Sequence, residues 1–116
     1  MKIGFIGLGN VGGKLAGSLL RNNFKLTVYD LDPKTMDNLS SKGASISKNP
    51  KELTQDSDLI ITCLPSPEIC REVMESKDGV INGLTENKIW LEMSTTDESE
   101  VKRIGKKVIE KKAIPL

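Results

Sequence analysis

A chain of 116 residues with seventeen basic and sixteen acidic side chains carries a net charge of +1, so it has no electrostatic footprint for nucleic acid or an anionic membrane surface. Its length suits one domain with a single core, and 37% hydrophobic with 28% charged residues is the composition of an ordinary globular protein. No histidine is present, which excludes a histidine base, metal ligand or pH switch within the chain; Cys63 and Cys70 are too few for a disulfide framework.

The two cysteines have no C-x-x-C spacing and are expected as reduced thiols of a cytoplasmic protein, with no metal site. The opening MKIGFIGLGNVGGKLAGSLL has the basic start and apolar content of a leader. Asn10 and Lys14 interrupt it, however, and no apolar run approaches the length of a membrane span. Within it KIGFIG reads as a first strand and residues 11–22 as a helix. On that helix Val11, Leu15 and Leu19 recur four apart and predict one apolar face.

KLTVYD is the second strand. Asp32 before Pro33 is a cap-then-proline helix start, for a helix running to about Ser41. ASI is a weak third strand, and Asn49–Pro50 repeats the cap signal for a short helix ending near Gln55. DLIITCL is nearly all apolar, as a central strand buried on both faces should be. Ser66–Pro67 opens a helix carrying Ile69, Val73 and Met74, and after a glycine-containing turn KIWLEM is the fifth strand.

In the last helix Thr95 and Glu98 have the T-x-x-E spacing of a capping box. Val101, Ile104 and Val108 form its apolar stripe. Acidic residues lead and lysines close it, which matches the macrodipole and reads as a solvated helix end. AIPL is the start of a sixth strand. Alternating strands and helices with two-sided burial predict an α/β fold, a doubly wound parallel sheet with helices on both faces.

Gly7, Gly9 and Gly12 in GLGNVG have the G-x-G-x-x-G spacing. They close a predicted strand and open a predicted helix, and Asp30 ends the next strand 18 residues after Gly12. Gly7 permits the tight turn, Gly9 lets backbone approach a pyrophosphate, and Gly12 lets helix and strand pack closely; free N–H groups at the helix start meet the phosphate charge. A plain strand-to-helix turn also fits these glycines. Methyltransferases that bind S-adenosylmethionine likewise have a glycine-rich first turn and an acid after the second strand. The full three-glycine spacing favours a Rossmann-type dinucleotide site. Asp30 should accept hydrogen bonds from the adenosine ribose and disfavour NADP, since Leu31 follows with no arginine to hold a further phosphate. Lys34 is near enough to temper that preference, and NAD is the expected cofactor.

With these residues in place, GFIGLGNVGGKLAGSLL resembles the N-terminal signature of the β-hydroxyacid dehydrogenases, which include 3-hydroxyisobutyrate dehydrogenase and 6-phosphogluconate dehydrogenase. DLIITCLPSPEICREVM is similar to that family's fourth strand and leucine–proline loop, and WLEMSTTDESEVKRIG to its fifth strand and serine–threonine turn. The resemblance implies a cofactor site made by Gly7, Leu8, Gly9, Asn10, Val11 and Gly12, with Asp30, Leu64, Pro65 and Thr95. Pro65 also reads as a strand end, and Thr95 as a cap. Val11 stands where the family usually has methionine, Met93 replaces the first serine of the turn, and Ile69 stands where some members have an asparagine. Substrate identity therefore does not transfer.

Hydride transfer to or from a hydroxyacid needs a proton carrier and groups that hold the carboxylate. The resemblance places these in a lysine, an asparagine and a serine–glycine–glycine segment beyond the position of Leu116. Lys14 and Lys88 have surface contexts and Asp58 reads as the polar start of a strand, so no catalytic residue is assigned. The expectation is that residues 1–116 are an NAD(P)-binding Rossmann domain cut at the start of its sixth strand. The helical C-terminal domain, with the family's small hydroxyacid pocket and homo-oligomer contacts, would be missing. A free-standing, non-catalytic dinucleotide-binding module or sensor is the alternative.

Overall fold

The computed structural model describes residues 1–93 and 97–116. Its elements run β1 (Lys2–Ile6), α1 (Asn10–Arg21), β2 (Lys25–Tyr29), α2 (Pro33–Ser40), β3 (Ser45–Ile46), α3 (Pro50–Gln55), β4 (Leu59–Thr62), α4 (Pro67–Glu75), β5 (Ile89–Glu92), α5 (Glu98–Glu110) and β6 (Ile114–Pro115). All strand pairs are parallel, in the order β3-β2-β1-β4-β5-β6. This is the doubly wound arrangement of a Rossmann-type sheet, and its direction of winding reverses between β1 and β4.

Both faces of the sheet are covered. Phe5, Val28 and Ile61 pack on one face with Ala16 of α1 and Leu39 of α2. Ile60 and Trp90 pack on the other with Leu53 of α3, Met74 of α4, and Ile104 and Val108 of α5. Neighbours Ile60 and Ile61 thus point to opposite cores, which is why β4 reads as an unbroken apolar run. Each fully buried side chain of this size contributes about 1.5–3 kcal/mol of transfer free energy.

Local chemistry sets three helix starts. Asp32 accepts from Lys34 N, Asn49 from Glu52 N and Ser66 from Ile69 N, each with a proline just inside the helix. The glycine-containing turn before β5 contains a short 3-10 turn, Ile81–Gly83.

Two expectations need correction. The cap of α5 is Asp97, whose side chain accepts from Ser99 N at 2.9 Å, and Glu98 is the first helical residue rather than the third. Asp97 supplies an oxygen acceptor two residues farther along the chain, and Thr95 itself lies outside the described residues. On α1 the face that packs is Gly12, Ala16 and Gly17, with Leu15 and Leu19 only half-buried at its sides; Val11 is 65% exposed. The helix lies so close to the sheet that its contact line is made of small residues, and the branched side chains flank it.

Helices α4 and α5 are tied by ions. Arg103 grips Glu75 with both terminal nitrogens and reaches Glu100 through Nε at 2.7 Å; Arg71 also pairs with Glu100, and Lys107 with Glu75. Hydrogen bonding from Arg103 holds the Glu75 carboxyl at about 2, against an ordinary 4.5. A lowered folded-state value means that this stabilisation is complete above 4.5 and is lost as pH falls toward 2. Glu75→Gln is therefore expected to lower stability at neutral pH and to shrink the loss of stability on acidification across that window. Chemical denaturation at stepped pH checks this; an unchanged acid limb would show that the network does not couple to folding.

Candidate functional site

Adjacent β1 and β4 send the chain to opposite faces of the sheet, β1 into α1 and β4 into α4, so their carboxyl ends part and leave a crevice. A cleft of about 460 Å³ lies there. One wall is the loop from β1 to α1, the floor includes Ile6 and Tyr29, and the other wall is Cys63, Leu64 and Pro65 with Ile69 and Val73 of α4.

The three glycines differ in what requires them. Gly7 has φ +98, and a Cβ there would lie 2.1 Å from the Cys63 carbonyl oxygen. A Cβ on Gly12 would lie 1.9 Å from the Gly7 carbonyl oxygen. Both are demanded by the protein's own backbone. Gly9 is not: its φ is −65, no atom lies within 4 Å of the Cβ position, and the residue is exposed on the cleft. The space a side chain would fill there is open to a ligand.

Gly9 also occupies the cap position of α1, which carries no side-chain cap and no acidic residue in its first turn. The N–H groups that open the helix, beginning at exposed Asn10, thus face the cleft without a carboxylate or hydroxyl on them. Backbone donors at a helix start and an open backbone cradle suit a phosphate group. Val11 and Leu31, 65% and 73% exposed, add apolar surface at the cleft. The residues present fit a dinucleotide.

Asp30 follows β2 and lines the same cleft. Its Oδ2 accepts from Leu8 N at 2.6 Å and its Oδ1 from Asp32 N at 2.9 Å. The Leu8 side chain is buried in the core beneath α1, so only the backbone of that residue takes part in the loop. Leu64 is buried and Pro65 exposed, and both line the cleft. The structure therefore brings together nine of the ten residues singled out from the sequence, Leu8 through its backbone alone; the tenth, Thr95, lies outside the described residues.

Sequence reasoning missed Tyr29, Leu31, Cys63 and Val73 as lining residues, and Ile69 entered it only as a departure from the family. The signal for the last two was their apolar spacing on α4. It also missed a polar chain beneath the cleft. Trp90 Nε1 donates to Thr62 Oγ1 at 2.9 Å, Thr62 Oγ1 donates to Glu92 Oε2 at 2.9 Å, and Cys70 Sγ lies 3.4 Å from the same oxygen. Burial, reinforced by Glu92, pushes the Cys70 thiol up to about 12 and raises Cys63 as well. Neither is a thiolate nucleophile at neutral pH.

Asp58 and Lys88 sit at the other end of the sheet. Asp58 accepts from Lys2 N at 2.9 Å, and Lys88 Nζ donates to the carbonyls of Ser57 and Gln55. Among the described residues the titratable side chains lining the cleft are Tyr29, Asp30 and Cys63, so the arrangement offers a place to hold and orient a ligand rather than a proton carrier.

Residues 2–115 match the family model described as the NAD binding domain of 6-phosphogluconate dehydrogenase. The chain is 37% identical over 93 residues to 3-sulfolactaldehyde reductase of Escherichia coli K12, covering 80% of the chain and 31% of that protein. To mitochondrial 3-hydroxyisobutyrate dehydrogenase of Mus musculus it is 32% identical over 106 residues, covering 91% and 32%. The solved 3-hydroxyisobutyrate dehydrogenase of Mycobacterium tuberculosis with L-serine superposes with a TM-score of 0.90 at 19% identity, over 98% of this chain and 38% of that one. The chain thus spans about a third of the length of the curated relatives it matches. By the extent of the match and the cleft at its switch point, the chain belongs to the family of the NAD binding domain of 6-phosphogluconate dehydrogenase.

Proposed function

We propose that this chain holds NAD for an oxidoreductase that moves a hydride between the nicotinamide and a small β-hydroxyacid or its semialdehyde or keto partner. The observation that carries the reading is Gly9, a glycine with no internal need to be one, at the uncapped start of α1 beside Asp30. In this reading the backbone of Gly7, Gly9, Asn10, Val11 and Gly12 cradles the pyrophosphate. Asp30 accepts from the ribose, and Leu64 and Pro65 form the facing wall. The bound nicotinamide supplies the hydride acceptor or donor; the chain's own residues bind and orient it.

The relatives' names support the substrate class, and the small hydroxyacid, the catalytic proton carrier and any self-association belong in the proposal to further sequence of the kind those relatives possess. By itself the chain is expected to bind cofactor without turnover. The unpaired thiols of Cys63 and Cys70 support a reducing compartment.

Asp30 favours NAD over NADP. A phosphate on the ribose hydroxyl would bring like charges together, costing about 4 kcal/mol at ~4 Å and an effective dielectric of 20, less where solvent reaches the pair. The neighbouring Leu31 offers no compensating charge, and Lys34 is exposed on α2 with its backbone N–H taken by Asp32. Fluorescence titration should show NADH binding at least roughly tenfold tighter than NADPH. Equal affinities would remove Asp30 from the ribose.

The glycines give a second test. Serine is a good helix cap, so Gly9→Ser should leave the melting temperature unchanged or raised while its side chain occupies the cradle and NADH binding is lost. Gly12→Ala should instead destabilise by about 1–3 kcal/mol through overpacking against the Gly7 carbonyl. A Gly9→Ser chain that still bound NADH with native affinity would sink the cradle assignment.

A further inference from the structure

The ladder between β1 and β2 does not stop where the strands do. Gly7 N donates to the Tyr29 carbonyl at 3.1 Å, the last backbone rung. The next N–H along the chain, that of Leu8, follows the turn at Gly7 (φ +98) and donates to the Asp30 carboxylate at 2.6 Å, across 22 residues of sequence. The other carboxylate oxygen accepts from Asp32 N at 2.9 Å, at the turn into α2. One side chain therefore bridges the glycine loop and the turn into α2, and pins the loop to the end of β2.

We infer that Asp30 is a positioning residue for the glycine loop as well as the ribose acceptor. Cofactor choice and loop geometry then rest on the same carboxylate and cannot be changed independently. The inference builds on the dinucleotide reading above and adds to it a reason why this site resists conversion to NADP. Removing the carboxylate relieves the repulsion of a ribose phosphate. It also strips the acceptor from the N–H of a buried residue, and Gly9 and the start of α1 follow directly along the chain.

The two N–H groups on Asp30 are unequal. Asp32 is exposed, so water can replace its acceptor; Leu8 is buried and has no such substitute. Asparagine has one acceptor oxygen where aspartate has two. At position 30 that oxygen belongs on Leu8 N, leaving Asp32 N to solvent, so the neutral amide keeps the loop pinned. Alanine keeps neither bond.

The test compares Asp30→Ala and Asp30→Asn with the native chain by NADH and NADPH titration, by thermal melting, and by hydrogen exchange and proton shift of the Leu8 amide. In the native chain that amide should be protected and shifted downfield by its charged acceptor. Asp30→Ala should lose that protection, bind NADH at least roughly tenfold more weakly, and bind NADPH no better than the native chain does. Asp30→Asn should retain the protection and most of the melting temperature, and its preference should move toward NADPH. An Asp30→Ala chain that gains NADPH affinity with the Leu8 amide still protected overturns the inference, as does an Asp30→Asn chain that loses protection as completely as alanine. If alanine prevents folding, the asparagine comparison alone decides. A native chain that binds neither dinucleotide while its Leu8 amide is protected would overturn the cofactor reading and leave the loop anchor standing.

Discussion

The carbonyl oxygen of Gly7 lies 1.9 Å from where a Cβ on Gly12 would be, and Gly7 itself turns at φ +98 against the backbone of Cys63. These two contacts fix how near α1 can come to the end of β1, and most of the site follows from that distance. With the helix drawn in tightly, its first N–H groups emerge level with the end of the sheet, where β4 departs to the opposite face. A helix held farther out by one methyl group would start above the crevice, and the wall formed by Leu64 and Pro65 would no longer face backbone donors. The same tightness explains why the packed line of α1 is Gly12, Ala16 and Gly17.

That constraint also marks the boundary of what the sequence makes legible. The caps at Asp32, Asn49 and Ser66 were readable because each is settled within four residues, by an acceptor side chain and a proline that suits only the first turn. The parallel sheet was readable from apolar runs too continuous for a one-sided strand. Val11 was misjudged because periodicity reports which residues are apolar, and not how closely the helix that bears them approaches the sheet. At the end of the cleft a branched side chain 65% exposed lines the opening instead of joining the core. The sequence does not place the α5 cap because Ser94, Thr95, Thr96 and Asp97 all carry acceptor side chains, and spacing alone does not choose among them.

The rest of the site depends on register, which one sequence does not display. Thr62 meets Glu92 only because β4 and β5 align those two residues as partners, and Trp90, two residues along, then points its indole N–H at the same hydroxyl. Unbonded, the Trp90 nitrogen and the Thr62 hydroxyl would each bury a polar group at a cost of about 1–3 kcal/mol. Joined to Glu92 they form a satisfied polar layer under an otherwise apolar wall. The two cysteines end up beside this carboxylate, so the group that completes the layer adds to the burial that already suppresses their thiolates.

The two walls of the cleft are thereby held by different means. On the α4 side, Ile69 and Val73 face the cleft, Cys70 reaches the half-buried Glu92 carboxylate, and Arg71 and Glu75 engage α5 through ion pairs. Three faces of one helix are engaged, so that wall is over-determined. The glycine loop has no side chains to pack beyond Leu8 and depends on backbone: one rung to Tyr29, one N–H to the Asp30 carboxylate and the contact with Gly12. A loop that leaves its backbone bare along the cleft cannot also be anchored by its own side chains. Its anchor has to come from elsewhere in the chain, and the residue best placed to supply it is the one that already stands at the end of the neighbouring strand. That Asp30 faces both the loop and the cleft is then a consequence of geometry: the end of β2 borders both the turn after β1 and the rim of the crevice.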